Sequence, residues 1–146
     1  MDKGYEALRL KNQICFPLYA ASREVIKQYR PYLDALNLTY TQYITMMVFW
    51  EEKSISVKEL GKKLFLDSGT LTPVLKSLES KGYISRSRCI KDERVLIAEI
   101  TAEGEQLREQ AKTVPESVAG CVKLDPEEAM QLYLLLYKIL GDLREK

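Results

Sequence analysis

Residues 56–100 read SVKELGKKLFLDSGTLTPVLKSLESKGYISRSRCIKDERVLIAEI, and the punctuation of this stretch decides the fold. Ser56-Val-Lys-Glu59 is a capping box, a hydroxyl followed three residues later by Glu, and predicts a short helix over Val57–Phe65. Asp67-Ser-Gly-Thr70 caps a second helix to Ser80, with Gly82 just past its end, where a left-handed residue stops a helix. Pro73 as the first helical residue would leave too short a segment, so the start belongs near Ser68. Tyr83–Arg88 and Arg94–Ile100 then alternate apolar with polar around the charged turn Ile90-Lys-Asp-Glu93, the pattern of a β-hairpin. Helix, turn, helix and hairpin in that order make a winged helix-turn-helix, mainly α with a small β wing. In that plan the second helix enters a major groove and the hairpin reaches the flanking backbone or minor groove.

The charge follows the same boundaries. Residues 1–52 are net 0, residues 53–94 net +5 and residues 95–146 net −4, so a chain of net charge +1 hides a basic middle. That asymmetry suits an anionic partner. Ser68, Thr70 and Thr72 place short hydroxyls on the first turns of the second helix, able to cap it or to bond phosphates and base edges. Lys76, Arg86 and Arg94 add cations, with Lys91, Arg88 and Asp92 beside them on the wing. Double-stranded DNA is the expected partner.

Outward from the middle, both ends are helical. Residues 5–33 carry Leu8, Ile14, Cys15, Leu18, Tyr19, Ile26 and Tyr29 near helical spacing, with a kink or restart expected at Cys15–Pro17 and an end or bend at Pro31. Thr39-Tyr40-Thr41 opens a helix from Gln42 to about Glu52. Thr101 caps a helix over Ala102–Lys112, interrupted at Val114-Pro115. Asp125-Pro126-Glu-Glu128 starts a last helix expected to bury Leu132, Leu135, Leu136, Ile139 and Leu140. The first and last helices are too apolar for the winged unit alone. A second copy is the obvious partner, because a two-fold dimer sets two recognition helices on successive grooves of a pseudo-palindromic operator.

Composition removes several classes. With 146 residues, 46% apolar and 29% charged, the chain is one globular domain. Its longest apolar run, Leu132–Tyr137, is far short of the ~20 residues that span a bilayer, and the first residues lack a signal pattern, so a cytoplasmic protein without membrane attachment is expected. The count of His is 0, which removes His-ligated metals and Ser-His or Cys-His pairs; no metal or other cofactor is expected. Cys15, Cys89 and Cys121 have no CxxC spacing, so reduced thiols are the default, and Cys89, on the wing's first strand, reads as structural or incidental.

Three stretches carry a resemblance: Asp92-Glu-Arg94 on the wing, Gln13-Ile-Cys-Phe-Pro-Leu-Tyr19, and Leu66-Asp-Ser-Gly-Thr-Leu-Thr-Pro-Val-Leu75, with Leu38-Thr-Tyr-Thr-Gln-Tyr43 and the pair Tyr29 and Tyr40. Over almost its whole length the chain resembles the MarR family of winged-helix repressors, and within it the organic hydroperoxide resistance branch. Pro17 departs from the commoner apolar residue of that segment. The resemblance implies a homodimer joined by its first and last helices (about 1–36 and 102–146) around a DNA-binding unit (about 37–101). It implies a non-enzymatic repressor that senses organic hydroperoxide through the Cys15 thiolate. Tyr19, Tyr29 and Tyr40 are then the hydrogen-bond partners of the thiolate, those matching Tyr29 and Tyr40 coming from the other subunit. Cys121 lies near the second thiol of two-cysteine members, which makes it a possible disulfide partner. From the residues alone, Cys15 reads as a small buried hydrophobe, and for Cys121 a small buried residue after Gly120 stays open as the alternative. Two rivals stay open: a repressor released by a phenolic ligand, and a thiol peroxidase with a merely solvated basic hairpin.

Overall fold

A computed structural model describes residues 3–144. Two short 3-10 turns, Lys3–Leu8 and Leu10–Asn12, precede helix α1, Cys15–Asp34. The restart expected at Cys15–Pro17 falls at Cys15, and the residues before it form 3-10 turns in place of the expected α-helix. Pro17 is the cause: in the first turn of α1 its missing N–H forfeits nothing, whereas further into a helix it would clash with the preceding turn. Pro31, expected to end or bend this helix, is carried inside it, and the chain turns only at Asn37 (φ 53).

Helix α2, Tyr40–Glu52, begins two residues earlier than expected because Thr39 and Gln42 close a reciprocal capping box. Strand β1, Ser54–Ser56, leads into α3, Val57–Leu64, which Phe65 ends in the left-handed region (φ 55). Helix α4, Ser68–Ser80, starts as Asp67 Oδ1 accepts from the Thr70 N–H at 2.8 Å. It ends with the Tyr83 N–H donating to the Leu78 carbonyl and the Gly82 N–H to the Glu79 carbonyl, closed by Gly82 at φ 82. Strands β2, Ile84–Arg88, and β3, Leu96–Ile100, form the wing. β1 adds to it antiparallel, giving the order β1-β3-β2, with Ile55 opposite Ala98 and Arg86 opposite Ala98 on the other side. Cys89 falls one residue beyond β2, although its N–H still donates to the Val95 carbonyl.

Helices α5, Ala102–Ala111, α6, Val114–Val118, and α7, Pro126–Arg144, complete the chain. The core lies among α2, α3, α4 and the sheet, where Met46, Phe49, Leu60, Leu71, Leu75, Leu78, Ile84 and Ala98 are buried. Helix α5 is fastened to this unit at Gly104: the Trp50 indole donates to its carbonyl at 2.9 Å, and a Cβ there would collide with the Tyr83 carbonyl oxygen.

The outer helices differ from expectation. Among the described side chains of α7 only Leu136 and Leu140 are half-buried, while Leu132, Leu135 and Ile139 are exposed. On α1 only Leu33 is buried, and Leu18, Tyr19, Ile26 and Tyr32 face outward. The apolar stripes are as the sequence has them, but a single chain leaves most of their side chains uncovered. No described helix is long and apolar enough to cross a membrane.

Candidate thiol site and nucleic-acid interface

Cys15 is the first residue of α1 and is exposed. Tyr19 follows one turn later, also exposed, with the Arg23 guanidinium 5.3 Å from its ring centroid. Tyr29 stands on the same helix 14 residues from Cys15, which at 1.5 Å per residue is roughly 21 Å. The sequence-predicted thiol and its predicted phenols are thus at opposite ends of α1.

The phenols do meet each other. Tyr29 and Tyr40 pack edge to face with centroids 5.0 Å apart, and the buried Tyr43 joins them at 5.9 and 6.3 Å. Burial first, and then the charge of nearby Cys121, pushes the Tyr29 phenol up; burial, Tyr29 and Cys121 do the same to Tyr40. Both phenols therefore keep their protons at neutral pH and can donate hydrogen bonds to an anion. Cys121, half-buried beyond α6, shares a small cavity with Gln28, Tyr32 and Val118. The structure thus gathers Tyr29, Tyr40, Tyr43 and Cys121, and leaves Cys15 and Tyr19 outside. Tyr43 was not singled out from sequence, although its place one turn after Tyr40 on an amphipathic helix is a usable signal.

On the other face of the molecule, Ser68, Thr70, Thr72 and Lys76 line the exposed side of α4, opposite the buried Leu71, Leu75 and Leu78. The Thr72 hydroxyl donates to the Ser68 carbonyl at 2.7 Å, which commits its proton and leaves it an acceptor. Arg86 differs: only 19% of its side chain is exposed, and it donates to both Glu79 oxygens at 3.3 Å, fastening β2 to α4. Arg94 is an open cation of the wing, 91% exposed, as Arg88 and Lys91 are also exposed. Asp92 aims it, accepting at Oδ1 from the Arg94 backbone N–H and from Nε, both at 3.1 Å, and this pairing holds the Asp92 carboxyl below its ordinary range. Arg94 also borders a cleft with Lys58 and Lys62 of α3, two cations missed from sequence because no local pattern ties α3 to the wing. Among the described residues no cluster of potential ligands could hold a metal ion.

Residues 27–111 match the family model described as transcriptional regulator SarA/Rot. The chain is 44% identical over 146 residues to the organic hydroperoxide resistance transcriptional regulator of Bacillus subtilis, covering 100% of this chain and 99% of that protein. It belongs to the MarR-type winged-helix regulators, on their organic hydroperoxide resistance branch. Solved structures agree. AbfR, known from Staphylococcus epidermidis, is 36% identical in its reduced form bound to DNA, with a TM-score of 0.76 over 96% of this chain and 98% of that one. Disulfide-formed AbfR is 35% identical, with a TM-score of 0.64 over 94% of this chain and 96% of the other. Overoxidized AbfR bound to DNA matches with the same TM-score of 0.76, so the fold described above is nearer the DNA-bound shapes of this regulator, reduced or overoxidized, than its disulfide shape.

Proposed function

We propose that the chain is a homodimeric transcriptional repressor that grips operator DNA when reduced and lets go when organic hydroperoxide oxidises Cys15. The observation that carries this is the separation along α1. A cluster of two protonated phenols and a thiol is assembled about 21 Å from the chain's own Cys15. An exposed cysteine of the same chain cannot reach it, but the partner subunit's Cys15 can. The uncovered apolar faces of α1 and α7 are what such a pairing buries, since contiguous exposed apolar surface of this extent marks an interface. Two-fold symmetry then gives two equivalent sites, each made from both chains.

In the reduced dimer, Tyr29 and Tyr40 donate to the thiolate of the partner subunit's Cys15. The thiolate attacks the terminal oxygen of R–O–O–H; an S–O bond forms, the O–O bond breaks, and the alkoxide leaves, taking a proton from solvent to depart as the alcohol while the hydroperoxide proton stays on the sulfenic oxygen. The product is a neutral sulfenic acid, to which the phenols bond differently. Cys121, beside those phenols, is placed to attack the sulfenic sulfur, forming a disulfide between chains with loss of water. Cysteines bridge only with Cα atoms within about 4.4–6.8 Å, so from any greater distance in the reduced dimer closure draws the outer helices together and tilts the two winged units. No turnover of peroxide is expected, and operator binding places the protein in the cytoplasm. On DNA, Ser68, Thr70, Thr72 and Lys76 face the major groove and Arg94, aimed by Asp92, the minor groove, while Arg86 braces α4 against the wing. The test is duplex binding before and after one equivalent of organic hydroperoxide, with Cys15→Ser as control. Wild-type release with a variant that stays bound supports the proposal; release in the variant would transfer the sensor elsewhere.

A further inference from the structure

The proposed function needs the state of the tyrosine cluster to reach α4. Gln42 and Lys81 supply a connection. Gln42 is a buried polar residue in the first turn of α2, 8% exposed, two residues from Tyr40 and adjacent to Tyr43. Both polar atoms of its amide are engaged. Its Oε1 accepts from the Thr39 N–H at 3.1 Å and from Lys81 Nζ at 3.0 Å, and its Nε2 donates to Ser77 Oγ at 2.9 Å. Ser77 is in the last turns of α4 and Lys81 is its C-cap. Lys81 Nζ also donates to the Asn37 carbonyl, at the left-handed residue joining α1 to α2.

We infer that Gln42 and Lys81 are positioning residues that transmit movement of the tyrosine cluster to the recognition helix. One bonded node ties together the end of α1, the start of α2 and the end of α4, the three segments on which Tyr29, Tyr40 and the DNA-reading side chains depend. Hydrogen bonds suit this task because they weaken steeply off axis, whereas apolar contacts slide. A rotation of the first α2 turn that carries Tyr40 must drag α4 or break the node. The node is also poised rather than locked. Lys81 makes no ion pair among the described residues, its acceptors are neutral, and partial burial lowers its affinity for the proton it holds. Breaking it costs hydrogen bonds that water in the adjoining cleft, lined by Asp34, Asn37 and Thr39, replaces.

The inference rests on the proposed function, and the experiment separates the two. Lys81→Met, which keeps the stem, and Gln42→Leu are compared with wild type for Cys15 oxidation rate, melting temperature, and affinity of the reduced and oxidised forms for one duplex. The ratio of the two affinities is the coupling, a quantity that a purely structural role leaves unchanged. In both variants the ratio is expected to fall about tenfold, with Cys15 oxidation within about twofold of wild type. Should Gln42→Leu fail to fold, the half-exposed Lys81→Met decides alone. A wild-type ratio retained in a variant whose melting temperature has dropped makes the node a fold fastener only and overturns the inference. A wild-type protein that keeps its duplex after oxidation removes the proposed function, and this coupling with it.

Discussion

Arg94 shows what single residues contribute. A guanidinium 91% exposed usually loses side-chain entropy when it binds, but Asp92 already holds this one on backbone and side-chain hydrogen bonds. Arg94→Ala is expected to weaken duplex affinity at least about tenfold and to make the log–log salt slope about 0.9 shallower for each phosphate no longer neutralised, with an unchanged circular dichroism spectrum. An unfolded variant would make Arg94 structural, and an unchanged affinity would take the wing off the DNA. At the sensor, Tyr29→Phe combined with Tyr40→Phe keeps the ring packing and removes both donors. Stopped-flow oxidation of Cys15 should slow, or release of duplex should be blunted; wild-type behaviour in both assays would strip the phenols of this role. Cys15 was marked by the resemblance, and the structure adds only that it is exposed at the start of α1 in a single chain. The resemblance also put the counterparts of Tyr29 and Tyr40 on the other subunit, and the rise of α1 sets Tyr29 roughly 21 Å from the Cys15 of its own chain. What was not legible was the gathering of Tyr43 and Cys121 with those phenols, which segments distant in sequence bring together.

At the scale of elements, capping chemistry was the dependable signal. Ser56, Asp67, Thr101 and Asp125 each accept the predicted N–H, from Glu59, Thr70, Gly104 and Glu128. Strand β1 was missed because Ser54-Ile-Ser56 is too short to show alternation and exists only by pairing with β3. The Arg86–Glu79 clamp was also out of reach, since it is made by a turn bringing β2 back onto α4. It has a pH signature. Arg86 holds the Glu79 carboxyl below its ordinary value of 4.5, so the clamp stabilises the fold above that pH and is lost as pH falls through the depressed value. Glu79→Gln should therefore lower the melting temperature at pH 7, and by progressively less as the pH is taken down below 4.5; a loss that does not shrink with falling pH would mean that the charge is not what matters. At the join of α5 with the wing, Gly104→Ala would force a Cβ against the Tyr83 carbonyl and should destabilise the fold by about 1–3 kcal/mol, read by urea denaturation. An unaffected midpoint would show that α5 moves freely off Tyr83.

For the whole molecule, the sequence was informative about which surfaces are apolar and silent about what covers them. Leu132, Leu135 and Ile139 have the spacing of a buried stripe, and they are exposed because the surface that completes their packing belongs to another chain. In the proposed dimer the same reason leaves neither Cys15 nor the tyrosine cluster a complete site in one chain. In the proposed repressor the dimer, the sensor and the DNA-binding surface are one device, in which a bond formed between chains at the ends of α1 changes the spacing of two α4 helices. The most direct test uses a duplex selected by the reduced protein from a random-sequence pool. One equivalent of organic hydroperoxide is added, and fluorescence anisotropy of the duplex is followed alongside non-reducing electrophoresis and peptide mapping. The expected result is release of the duplex together with a Cys15–Cys121 disulfide joining two chains, both reversed by dithiothreitol. Protein that releases its duplex while running as single chains with Cys121 still alkylatable, or that stays bound with the cross-link in place, would contradict the proposed mechanism.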